Sequence, residues 1–349
     1  MELIALLVSF ILIAIAAKQI GLVFSRLQLP YITGYIFAGA LAGPFLLELL
    51  PPNTADDLRF VDDIALAIIA FTAGNELYLR ELQSRLRSIG IISITLTVIT
   101  VGLGTLAILL LADFITFMED MPQAERLAVA LLGGTVLAAL APAVAIPVIQ
   151  EVRARGPFTK TVLGVTISMD VVIIVTFAMM VAVADVLLRG AGFDVFFVII
   201  LAIDLILSVV LGLVSGKILE FLLSRHLSRQ VKIGSILLIG FLIYELTSQV
   251  RDFTYGGGFP IEIVLEPLLI SVIAGLYVTN FTAHRVEFSD LLHVIGPYVY
   301  VAFFTLTGIA LKLDTLIATL PTAVALFTVR LGGLFGGSFL GGTLAGDSL

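Results

Sequence analysis

Apolar residues run along this chain in long blocks, separated by short loops that hold most of the charge. Blocks long enough to span a bilayer, which takes ~20 residues, fall at 2–23, 30–50, 60–79, 89–112, 124–149, 158–184, 194–221, 231–248, 261–281, 292–311 and 316–341. The pattern predicts eleven membrane-spanning helices in an all-α polytopic membrane protein. The first block opens on Glu2 where a secretory signal carries Lys or Arg, so it reads as a retained span.

Composition agrees and narrows the chemistry. Apolar residues make up 60% of the chain and charged residues only 13%, against about 25% charged in a soluble domain. The net charge of -7 is spread over short loops and says little about partners. There is no basic run or aromatic-basic interleaving, so nucleic acid is not an expected partner. Without cysteine, disulfides, thiolate metal sites and thiol redox chemistry are excluded. Three histidines and no His/carboxylate cluster at ligand spacing argue against a structural zinc. No cofactor and no enzymatic activity are expected.

Orientation follows from Lys and Arg in the short loops. Alternate loops collect thirteen of the nineteen basic residues on one side and five on the other. That bias predicts a plasma (inner) membrane protein with its N-terminus outside and residue 349 on the cytoplasmic side. The remaining basic residue, Arg330, lies inside the eleventh span.

Two pairs of spans share motifs. "GNELYLREL" from Gly74 and "GIALKLDTL" from Gly308 both read G-x-x-L-x-L-x-x-L. "AGALAGPF" from Ala38 and "AGLYVTNF" from Ala274 both place A-G before Phe at the same spacing. The offsets, 234 and 236 residues, each step over seven spans, so the copies run through the membrane in opposite directions. Inverted repeats of this kind mark transporters with a site near the midplane. The expected organisation is a first repeat over about 1–186, a linker helix over about 194–221 and a partial second repeat over about 231–349. By that symmetry spans 5 and 6 call for partners 12 and 13, so the pattern predicts eleven spans of thirteen.

Candidate chemistry sits in spans 5 and 6. Pro142 and Pro147 lie within span 5, and each removes a helical donor, freeing the carbonyls of Ala138 and Ala143. Such carbonyls persist in a membrane only against protein or a water-lined cavity, where they can coordinate a cation; a simple kink is the bland alternative. Asp170 lies in the middle of span 6, some 20 Å from Pro157 at ~1.5 Å per residue. A carboxylate at that depth opposite a broken helix reads as a cation and proton site.

These elements resemble, in order along nearly the whole chain, the monovalent cation/proton antiporters, in the branch with bacterial sodium/proton exchangers and Kef-type potassium efflux systems. "LQLPYITGYIFAGALAGP" is similar to the family's second-helix signature and "IIAFTAGNEL" to its third-helix element. "ALAPAVAIPVIQE" stands at the crossover motif, "AFFTLTGIALKLD" resembles a later helix, and "LFTVRLGGLFGG" resembles the helix with a buried Lys or Arg. The resemblance implies an inverted-repeat antiporter fold with a proline-broken crossover helix. It also implies a homodimer in the lipid bilayer that exchanges sodium or potassium for protons by alternating access. Residue by residue, it makes Asp170 the acid that holds cation or proton in turn, and Arg330 and Glu76 a buried ion pair.

The departures shape the site. Met169 stands before Asp170 where the family often has Asn, Asp or Gln, and Leu140 and Ala141 replace hydroxyl residues at the crossover. Oxygens must then come from Asp170, from Thr166 one turn back on the same face, from Ser168 and from the freed carbonyls; hard oxygens suit an alkali cation. With one acid and a permanently charged Arg330, exchange is expected to be one-for-one and electroneutral. Asp204 in span 7 is a possible second proton site. Glu245, Arg251, Glu262 and Glu266 read as a solvated rim, and "GGLFGGSFLGG" as a close-packing stripe rather than a phosphate loop. Two other classes remain open: a transporter-like sensor or channel component, and an intramembrane aspartyl protease using Asp170 and Asp204. Their depths of ~24 and ~15 Å at ~1.5 Å per residue speak against the protease.

Overall fold

The computed structural model describes residues 2–189, 195–256 and 263–346. Among these residues the secondary structure is helical and holds no strand. The main helices are α1 (Glu2–Arg26), α2 (Tyr31–Ala42), α3 (Arg59–Glu76), α4 (Leu86–Leu110), α5 (Gln123–Ala138) and α6 (Pro142–Glu151). They are followed by α7 (Pro157–Arg189), α8 (Val195–Leu223), α9 (Arg229–Gly256), α10 (Pro267–Phe281), α11 (Arg285–Ile309) and α12 (Leu320–Ala345). Each expected span has its helix, with span 5 divided between α5 and α6. Among the described residues eight stretches are both long and apolar enough to cross a bilayer, and α2 and α10 are shorter apolar helices.

Those two are shorter than the hydropathy blocks that contain them. α2 stops at Ala42, where Gly43 turns extended at φ -68° and ψ 177°, because Pro44 disfavours a helical residue before it. Residues 45–50, apolar except for Glu48, are not regular helix. α10 begins at Pro267, a residue suited to a helix's first turn because it has no N–H to leave unpaired. Its block opens at 261, and residues 261 and 262 lie outside the described residues.

The chain divides into two compact units. The first comprises residues 1–78, 142–154 and 206–315. Its core gathers Ile32, Ile68, Phe71, Ile270, Phe288 and Phe304, with Phe71 and Phe288 edge to face at 6.4 Å between ring centroids. Two backbone crossings organise it. A Cβ on Gly39 of α2 would lie 3.0 Å from the Gly308 Cα of α11, and one on Gly74 of α3 would lie 3.0 Å from the Gly275 Cα of α10. Only glycine permits helices to approach so closely. The glycines are those of the shared motifs, and each crossing joins one motif to the other. α2 and α10 also start 236 residues apart, the offset of the motifs they carry. The α3–α10 crossing carries a buried hydrogen bond, Thr279 Oγ1 to Asn75 Oδ1 at 2.9 Å.

The second unit comprises residues 79–141, 155–205 and 316–349. α4 is its central helix, packed by α5, α7 and α12. The glycine-rich stretch of α12 makes the close contact its composition predicts. Gly333, Gly337 and Gly341 lie one turn apart, and Cβ atoms there would come within 3.0, 2.6 and 2.8 Å of the Cα atoms of Thr100, Leu96 and Ile92. Thr95 Oγ1 adds a 3.1 Å bond to the Gly337 carbonyl. In a bilayer, where association rests on packing and interhelical polar contacts, such a stripe fixes α12 on α4.

Candidate functional site

The break in the fifth span is a local consequence of sequence. α5 ends at Ala138, Ala139 is extended at φ -61° and ψ 132°, and α6 restarts at Pro142. Pro142 has no N–H to offer, and it pushes Ala141 away from helical geometry. Pro147 behaves differently: it is buried inside α6 without ending it. Two prolines therefore make one break, over residues 139–141, rather than two. The Ala143 carbonyl still lacks its helical donor, because that donor would be the Pro147 nitrogen.

A carbonyl within the break, next to the proline-freed Ala138, has a specific partner. Arg330 of α12 donates from Nη2 to the Ala139 oxygen at 2.7 Å, a charge-assisted bond at the negative end of the α5 dipole. The guanidinium is partly buried. The family resemblance gives Arg330 to Glu76. Glu76 closes α3 in the first unit, Arg330 lies in the second, and their pairing stays an expectation. No sequence signal marks Ala139, since its contribution is a backbone oxygen.

α7 carries the acid. Asp170 is partly buried, as is Ser168, and Thr166 is buried one turn below Asp170. The Thr166 hydroxyl donates to the Val162 carbonyl at 2.8 Å. Its hydrogen is thus turned into its own helix, leaving oxygen lone pairs for a positive ligand. Met169 is fully buried, with its Sδ 3.3 Å from Thr97 Oγ1 of α4. Successive helical residues point about 100° apart, so α7 gives Met169 to the α4 packing and Asp170 to a different direction. Thr97 is absent from the sequence-derived set. Its signal was available, because Ser93, Thr97 and Thr100 recur at helical spacing in an apolar helix, and all three are buried.

Asp204 of α8 is buried at 6% exposure. Of the acidic rim, Glu266 donates its backbone N–H to Ser208 Oγ at 3.0 Å, Glu245 accepts from Gln249 Nε2 at 2.7 Å, and Glu262 lies outside the described residues. Among the described residues there is no group of three or more His, Asp or Glu side chains placed to hold a resident metal ion. What the second unit does bring together is the end of α5 at the break, a fixed cation on the Ala139 carbonyl, and a packed helix, α7, with an intramembrane carboxylate and a hydroxyl on the same face.

Known proteins can be set beside that geometry. Over 94 residues the chain is 35% identical to the Na(+)/H(+) antiporter NhaS4 of Synechocystis sp., a match over 24% of this chain and 23% of that protein's length. Two structures of the sodium proton antiporter MjNhaP1 from Methanocaldococcus jannaschii share the fold. One, at pH 8, has a TM-score of 0.69 at 21% identity over 99% of this chain and 79% of that one. The other, an electron-microscopy structure, has a TM-score of 0.73 at 18% identity over 100% and 80%. The model of the transmembrane sodium/hydrogen exchanger family matches residues 8–348, and the chain belongs to that family.

Proposed function

We propose that this protein is a secondary antiporter that exchanges a monovalent cation, sodium or potassium, for protons by alternating access. It works as a homodimer in the plasma membrane with its N-terminus outside. The observation that carries the reading is the α5 end at the break, with Arg330 on the Ala139 carbonyl, packed beside the helix that bears Asp170. Family membership and the named antiporters support it.

In this mechanism Asp170 is the coupling group. One carboxylate holds a proton or an alkali cation, and an empty charged carboxylate at mid-membrane is costly enough to discourage uncoupled movement. Thr166 offers a lone pair whose orientation is fixed by the bond to Val162, and Ser168 is a further oxygen ligand. Arg330 occupies the Ala139 carbonyl, so that oxygen is not a cation ligand while the bond holds. Arg330 also stays protonated at any working pH, which leaves Asp170 as the proton carrier and makes the exchange electroneutral.

The test is a flux measurement. An imposed sodium or potassium gradient across proteoliposomes holding the full-length protein should drive opposite proton movement that empty vesicles lack. No cation-driven proton movement with either ion would favour a sensor and reject exchange.

A further inference from the structure

α6 is a ten-residue rod with a loose link at each end. Before it the chain is non-helical over residues 139–141; after it residues 152–156 are non-helical, with Arg153 at φ 52° and Gly156 at φ 122°. The helices on either side, α5 and α7, belong to the second unit, whereas residues 142–154 group with the first. α6 therefore owes its place to its own contacts. Along its length these are apolar: Ile146 is 1% exposed, and Ala143 and Val148 pack against the first unit's core.

At its C-terminal end two polar contacts fasten it. Both Glu151 carboxylate oxygens accept the Tyr31 backbone N–H, at 3.0 and 2.9 Å. Tyr31 is the first residue of α2, its N–H has no acceptor within that helix, and a carboxylate there meets the positive end of the helix dipole. One residue earlier, Gln150 Oε1 accepts the Tyr300 hydroxyl of α11 at 3.1 Å. The two bonds tie neighbouring residues of α6 to two different helices, one contact charge-assisted and the other neutral.

We propose that Glu151 and Tyr300 form a latch that holds the inner half of the broken span docked on α2 and α11, and that α6 swings on its two links when the latch opens. They are positioning residues, because they set where α6 lies and touch no cation. Their part in exchange rests on the antiport reading, whereas the latch itself does not.

The chain contains no cysteine, so one introduced thiol reports alone. Ile146→Cys places it at a buried position of α6, one helical turn from Ala143 and Gln150, and its reaction rate with a small maleimide in membranes reads undocking. Adding Glu151→Ala or Tyr300→Phe should raise that rate at least tenfold. Glu151→Gln, which keeps one neutral acceptor for Tyr31, should fall between wild type and Glu151→Ala. Ile270→Cys, buried in α10 of the same unit, should stay slow in every background. An Ile146→Cys rate unmoved by any of these changes overturns the latch, and so does an Ile270→Cys rate that rises in step, which would mean general unfolding. In transport, latch variants should change the maximal rate while the cation KM stays within twofold. A KM change with an unaltered maximal rate would make Glu151 a cation ligand and refute the positioning role. If the wild type moves no protons, the antiport reading fails while the labelling result still decides the latch.

Discussion

The Arg330 guanidinium and the Ala139 carbonyl meet at 2.7 Å. Ala139 is extended at the break between α5 and α6, which takes its carbonyl out of the helical ladder, and a permanently charged side chain from α12 binds it. α12 is held in register by the Gly333, Gly337 and Gly341 stripe on α4. The same packing that fixes α12 therefore fixes the positive charge at the break, and the position of Arg330 is a property of the whole second unit.

Truncating Arg330 should destabilise the protein by leaving the Ala139 oxygen unpaired. Hydrogen bonds to charged groups contribute about 1.5–3 kcal/mol, so Arg330→Ala should lower the Tm in detergent measurably. Arg330→Lys keeps the charge without the planar fork and should recover part of the loss. An Arg330→Ala protein that melts like the wild type would show that the bond contributes nothing.

The glycine stripe makes a sharper contrast within one helix. A Cβ at Gly337 would sit 2.6 Å from the Leu96 Cα, a backbone atom that cannot step aside, whereas one at Gly342 meets nothing within 4 Å. Forcing an extra methyl into a packed contact typically costs about 1–3 kcal/mol. Gly337→Ala should lower the Tm in detergent, and Gly342→Ala should leave it near wild type or raise it slightly, as alanine suits a helix better than glycine. Equal effects of the two changes would contradict the α4–α12 packing.

Much of this architecture was legible because membrane helices announce themselves by hydropathy, and because Pro142 and the α12 glycines act through their own backbones. The trimming of α2 at Gly43 was also readable, through Pro44, although the apolar run past it points to a longer helix. What was not legible were partners. Gly39, Gly74, Gly275 and Gly308 could be matched as motif copies, but a motif gives equivalence and not contact, so the crossed pairing of Gly39 with Gly308 and of Gly74 with Gly275 emerges only in three dimensions. The resemblance pairs Arg330 with Glu76, an expectation that stands untested beside the contact the guanidinium makes. The acceptor it bonds is a backbone oxygen, which every residue has and no sequence distinguishes. Met169 read as a lost ligand, whereas its burial against Thr97 makes it a packing residue.

Stoichiometry follows from counting proton carriers. On the proposed mechanism, with Asp170 as the proton carrier and Arg330 permanently charged, one proton should exchange for one monovalent cation with no net charge crossing. In proteoliposomes with the full-length protein, the cation gradient at which proton flux reverses should be the same with and without an imposed membrane potential. A reversal point that shifts with voltage would reject the one-proton cycle and bring the buried Asp204 in as a second carrier.

The central claim is that one carboxylate couples the two ions, and the most direct test is cation-driven proton flux through Asp170→Asn protein in proteoliposomes, compared with wild type at equal protein content. The amide keeps the size of the side chain but cannot take up and release a proton at any accessible pH. The account predicts that the variant inserts and melts normally yet moves no protons above the empty-vesicle background. Proton flux near the wild-type rate would contradict it and place the coupling site elsewhere in the molecule.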